Sequence, residues 1–182
     1  MKKLLLVPIM AISFMGNSQF KLTPENFVTE YDNTKNFIVL EFPDQTQKQL
    51  FDKTKMYIHS NFKNLKGDGY NEVEYGQIKL RESAIAKVNK ILGLATITYM
   101  INTYEINFKD AKIMIKPTFE DAYVDDNYDS NIFLTGGSVV LGKSIFKKDG
   151  KVWMEDLYNG ITEKTNEFVN GLKSSIDKKD DW

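Results

Sequence analysis

Gly137-Ser138-Val139-Val140-Leu141-Gly142-Lys143-Ser144 has the spacing of a phosphate-binding loop, in which backbone N–H groups cradle phosphates, the lysine neutralises them and the hydroxyl holds magnesium. That chemistry needs a buried parallel strand before the loop and a helix that starts at the lysine. Here the chain runs through Ile145-Phe146 into the turn sequence Lys148-Asp149-Gly150, and Val139-Val140-Leu141 is strand-like where a pliable cradle is required. Gly137, Gly142, Lys143 and Ser144 therefore read as a chance match, a glycine turn followed by a strand, with no nucleotide. Just upstream, Asp125, Asn127 and Asp129 have the alternating oxygens of a calcium loop. The sixth and twelfth positions, which should be Gly and Glu, are Ser130 and Gly136, so the segment is a weak calcium candidate and reads first as a solvated acidic loop.

Other chemistries are limited by supply. The chain has no cysteine and one histidine, His59. Thiol catalysis is excluded, a zinc site would need carboxylates or water, and a Ser-His-Asp set could form only around His59. Glu72 and Glu74 could in principle act as an acid–base pair, but two carboxylates on one strand face are more simply exposed charge. No catalytic set, structural metal or cofactor is expected. What remains is binding. Lys112, Met114, Lys116 and Thr118 alternate with Ile113, Ile115, Pro117 and Phe119, giving a strand with one wet and one apolar face. Tyr123, Tyr128 and Phe133 punctuate a polar stretch, where aromatic rings serve either as contact anchors or as pins to the core.

The elements that must position these residues follow from periodicity. Phe37–Phe42 reads as a strand ended by Pro43. Asp44 and Gln47 have capping-box spacing before a helix whose apolar positions are Leu50, Phe51, Tyr57, Ile58, Phe62 and Leu65, with Gly67 and Gly69 as its stop. Residues 73–80 read as a strand with a bulge at Gly76, 82–93 are ambiguous between strand and helix, and 94–108 and 111–119 are strands joined by a turn at Lys109-Asp110. Pro117 lacks a ladder donor, which places that strand at an edge or at a bulge. Residues 121–150 read as a loop excursion with a short strand at 139–146. A final helix carries Trp153, Leu157, Ile161, Phe168, Leu172 and Ile176 on one stripe. The order β-α-β-β-β-β-α implies a two-layer α+β domain, an antiparallel sheet with helices on one face.

The N-terminus bears on where the domain works. Lys2-Lys3, an apolar run from Leu4 to Met15, and Gly16-Asn17-Ser18 form the three parts of a cleavable signal peptide. Residues 1–18 are expected to be removed, leaving an extended lead-in (19–35), the domain (36–176) and a polar tail (177–182). The protein would be exported, periplasmic or secreted. With no cysteine at the cleavage point it would carry no lipid, and it would keep no membrane anchor after processing. Loss of Lys2 and Lys3 takes the formal charge from −1 to −3, a poor balance for nucleic acid.

Four segments carry a family resemblance: Asp44–Phe62, Tyr75-Gly76-Gln77-Ile78, Tyr104–Asp110 and Ala111–Phe119. Over residues 36–124 the chain resembles an exported bacterial domain of unknown function with a TATA-binding-protein-like fold. The resemblance implies a curved antiparallel sheet with helices on one face, and it implies no activity. A DNA-binding role would rest on fold analogy alone, and the acidic, exported chain argues against it. The expected function is a non-enzymatic module that binds an envelope protein or itself. The alternative is a glycan- or small-molecule-binding protein, or a carboxylate hydrolase, with a pocket the sequence does not reveal.

Overall fold

The computed structural model describes residues 19–62, 69–91, 94–124, 127–138, 141 and 143–178. The expected signal peptide, Leu65, Gly67, Asp125, Val139, Val140, Gly142 and the last four residues lie outside them. Ten elements form: β1 (Phe20–Thr23), β2 (Asn26–Thr29), β3 (Ile38–Glu41), α1 (Gln47–Asn61), β4 (Tyr70–Val73), β5 (Gln77–Ile91), β6 (Leu94–Lys109), β7 (Lys112–Val124), β8 (Asn127–Ile132) and α2 (Glu155–Asp177). Strands β3-β7-β6-β5-β4 pair in that order, β8 joins β7, and every pairing in this six-stranded sheet is antiparallel. Both helices pack on one face, so the domain is two-layer α+β, as expected.

The two helices owe their placement to narrow contacts. On α2, Leu157, Ile161, Phe168, Leu172 and Ile176 are buried, joined by Thr165 and Val169. Trp153 lies before the helix, about half exposed, with the Lys147 ammonium 4.7 Å from its ring centre. The stripe therefore begins at Leu157. Tyr104 of β6 is fully buried and stacks on Phe168, ring centres 4.0 Å apart. Two glycines allow close approach. A β-carbon on Gly160 would stand 1.9 Å from the Ala86 carbonyl oxygen, and one on Gly171 would stand 2.4 Å from the Tyr57 hydroxyl of α1.

Several expectations are corrected. The lead-in at 19–35 is a β-hairpin whose Phe20, Leu22 and Phe27 enter the core. The Asn166 side chain of α2 bonds both the N–H and C=O of Phe20 (2.8 and 2.9 Å). Helix α1 is capped by Thr46 and Gln49, with Thr46 N–H donating to Gln49 Oε1 at 2.9 Å. Pro43 and Asp44 are spent on a turn closed by Gln45 N–H to Phe42 C=O, so the helix starts two residues later than Asp44 would set it. Gly76 ends a turn between β4 and β5, closed by its N–H on Val73 C=O, and is not a bulge. Residues 82–91 are strand. The β6–β7 turn sits at Asp110-Ala111, with Ala111 at φ 63°.

The largest correction concerns 121–150. Strand β7 continues to Val124 and β8 returns along it, because bulges reset the side-chain parity and disguise the alternation in sequence. No strand forms at 143–146. Only isolated bridges join Phe133 to Ser144 and Phe146 to Val152. Pro117 stands beyond the end of β3, where none of the described strands pairs with the outer edge of β7. The Asn26 amide covers that edge two residues on, accepting from Phe119 N–H and donating to its C=O, both at 2.9 Å.

Candidate functional site

The sheet face opposite the helices is the natural candidate, since its side chains are positioned by strands and are covered by neither of the described helices. The alternation on β7 works as the sequence predicts. Ile113, Ile115, Pro117 and Phe119 are buried beneath the helices, while Lys112, Met114, Lys116 and Thr118 lie on the open face. An extra residue, Glu120, then sits in β7 between the pairs Asn102↔Phe119 and Ile101↔Asp121. This bulge flips the parity and brings Tyr123 onto the same open face as Lys112. A second bulge at Ala86 in β5 does the same for Val88.

Cross-strand register divides the face into two halves. In the first, Lys112 pairs with Glu41 at 3.2 Å, Met114 lies between Val39 and Asn107, and Glu105 lies between Lys79 and Lys116. Gln77 donates to Asn107 at 3.0 Å. Arg81 Nε meets Glu120 at 2.7 Å, and Thr103 donates to the same carboxylate. Burial pushes the Glu120 carboxyl up, but the bonds from Thr103 and Arg81 outweigh that and hold it below the ordinary glutamate range. The adjacent Asp121 is pushed up by burial.

The second half is apolar and aromatic. Ile85 opposes Tyr99, which opposes Tyr123; Val88 opposes Ile97; Ile101 lies between Ser83 and Asp121. The rings of Tyr99 and Tyr123 stack with centres 5.4 Å apart, and the Tyr123 hydroxyl is 3.4 Å from Ser83 Oγ. Ile85 and Val88 are 44 % and 49 % exposed. None of Ile85, Val88, Tyr99 or Ile101 stood out in sequence. The signal for them exists only once β5 and β6 are known to pair along their whole length.

The other sequence candidates do not join this face as a set. Phe133 is half exposed just after β8. Tyr128, Asn127 and Asp129 lie in β8, a strand where a calcium loop would need a turn, and Asp125 is outside the described residues. In the phosphate-loop match, no helix starts at Lys143. Ser144 is fully buried with its hydroxyl donating to Phe146 C=O at 2.9 Å, and a β-carbon on Gly137 would stand 2.0 Å from the Lys143 carbonyl oxygen. These groups close a structural loop. His59 is exposed on α1 beside the Tyr70 ring. Glu72 is taken up by Lys55 at 2.7 Å and by the Tyr70 hydroxyl, while Glu74 lies in the following turn. Among the described residues no three His, Cys, Asp or Glu side chains gather as a metal site.

Two recesses lie at the margins of the sheet. One of about 450 Å³ runs between the hairpin and β3, lined by Tyr31, Asp32, Lys35, Phe37 and Val39. Asp32 there is turned onto Thr34 and Lys35. Another, also about 450 Å³, is lined by Lys87, Trp153, Met154, Glu155 and Asp156, with Lys87 and Asp156 paired at 3.0 Å.

No family model and no curated protein matches the chain. Among solved structures, a DUF4468 family protein from Bacteroides ovatus aligns over 80 % of this chain and 87 % of its own, with TM-score 0.57 at 9 % identity. A TBP-like protein from Parabacteroides distasonis aligns over 75 % and 90 %, with TM-score 0.46 at 12 % identity. The first likeness shows a shared fold. That fold has the antiparallel sheet and one-sided helices that the sequence resemblance implied.

Proposed function

We propose that this chain is an exported, non-enzymatic domain that binds a protein partner, an envelope protein or a second copy of itself, through the helix-free face of its sheet. One observation carries the reading. A single uncovered face holds an apolar half, Ile85, Val88, Ile97, Tyr99, Ile101 and Tyr123, beside a half whose charges are largely neutralised within the face. That composition, an aromatic and aliphatic centre flanked by paired polar groups, is the anatomy of a protein contact. The apolar positions have no part in the domain's own core, which lies on the other side of the same strands.

The test uses the mature chain from Gln19. Sedimentation equilibrium and capture from an envelope extract are compared for wild type and an Ile85→Ser/Tyr123→Ser variant of matched thermal stability. Self-association or a captured protein that the variant loses supports the reading. A wild type that stays monomeric and retains nothing, or binding that survives the double substitution, overturns it. Export is checked separately by fractionation and N-terminal sequencing, with Gln19 as the expected first residue.

A further inference from the structure

We propose that the seating of α2 on the sheet is governed by one proton on Glu82, a carboxyl that the fold encloses between β5 and α2 with none of the described cations bridged to it. Glu82 follows Ile78 and Leu80 along the helix-facing side of β5. Its Oε2 is buried without a hydrogen-bond partner. The titratable groups facing it offset its burial only in part. From β6, the buried Tyr104 hydroxyl faces the carboxyl and favours its charged form. From α2, the Lys164 ammonium favours the charged form, but it is held by Glu167 at 2.6 Å, and Glu167 itself adds like charge. From α1, Tyr57 is neutral and its own ionisation is pushed up by burial and by Glu82. Deeper in the same network, Asn102 donates to Thr165 Oγ1 at 2.9 Å, and its Oδ1 is likewise buried without a partner.

Two buried acceptors of the layer, Glu82 Oε2 and Asn102 Oδ1, thus lack a donor. A neutral carboxyl contributes a donor there, whereas a carboxylate adds an unpaired charge. Burial accordingly pushes the group up to about 7 from the ordinary 4.5. The folded state then holds the proton more tightly than the unfolded chain does. The stability from the neutral form is complete below pH 4.5 and declines as pH rises through 7, by up to roughly 300-fold in the unfolding equilibrium. Because Glu82 and its partners lie under the middle of α2, loosening at higher pH is expected to begin with that helix. This device does not depend on the binding role of the opposite face.

Thermal unfolding of the mature chain is measured from pH 5 to pH 8 for wild type and Glu82→Gln. Wild type is expected to lose Tm across this range, and the variant to lose most of that dependence. An equal fall in both overturns the proposal. A carbon-13 titration of the wild-type carboxyls gives a second reading that needs no variant. A Glu82 midpoint near 7 supports the device, and one near 4.5 ends it. Amide exchange, corrected for its intrinsic pH dependence, locates the effect. Protection in α2 should fall with rising pH before that of β6 and β7, and a simultaneous fall throughout would refute the assignment to α2.

Discussion

The same four strands, β3, β7, β6 and β5, present two faces that differ in how each disposes of its side chains. On the helix side, Ile106, Ile113, Ile115 and Leu80 have almost no contact with water, and Tyr104 lies against Phe168. On the other side, residues one position along the same strands pair charge with charge or leave isoleucine and valine half exposed. Apolar burial and close packing are concentrated on the covered face. The open face contributes through strand pairing and weak surface bridges, so its side chains are at liberty to serve an encounter with another molecule.

The strongest way to break this contrast is to damage the covered face. Phe168 touches the rings of Tyr104, Tyr57 and Phe62, with centres 4.0, 6.1 and 5.9 Å away. Phe168→Ala is expected to cost about 3–5 kcal/mol in chemical denaturation, the usual cost of emptying an aromatic site in a core. A loss under about 1 kcal/mol would mean that α2 is not seated as described. Gly160→Ala should cost about 1–3 kcal/mol, because the new methyl group meets the backbone carbonyl of Ala86, which cannot rotate away. It is a useful complement, since here stability falls on adding atoms where Phe168→Ala removes them.

The contrast also explains what could be read from the sequence. The wet residues Lys112, Met114, Lys116 and Thr118 were legible because β7 alternates without interruption up to Phe119. Tyr123 reads as a loop residue in sequence because the bulge at Glu120 breaks the period just before it. The β1–β2 hairpin offers only Phe20, Leu22 and Phe27 as core residues, and its strand character depends on Asn166, more than a hundred residues away. Asp44 and Gln47 mimic, two residues early, the capping-box spacing that Thr46 and Gln49 use in α1. The apolar half of the open face comes from pairing between distant strands, which no local pattern records.

The finest test lies on the open face itself. Arg81 and Glu120 form an ion pair there at 2.7 Å, closer than Lys112 and Glu41 at 3.2 Å, and both side chains are partly exposed. Pairs of this kind typically contribute about 0.2–1 kcal/mol, so Arg81→Ala should fall in that range at neutral pH, far below either change on the covered face. Glu120 is held below its ordinary range, so its contribution is present above the unfolded value and is lost as pH falls through the lower, folded one. A double-mutant cycle with Glu120→Gln at pH 7 should therefore show a small favourable coupling that fades in acid. Thr103 complicates the cycle by donating to the same carboxylate, so Thr103→Val is needed to separate the hydroxyl's share from the guanidinium's. A coupling as large as the loss at Phe168 would show that the open face helps to hold the fold together, and its freedom to serve a partner would no longer follow.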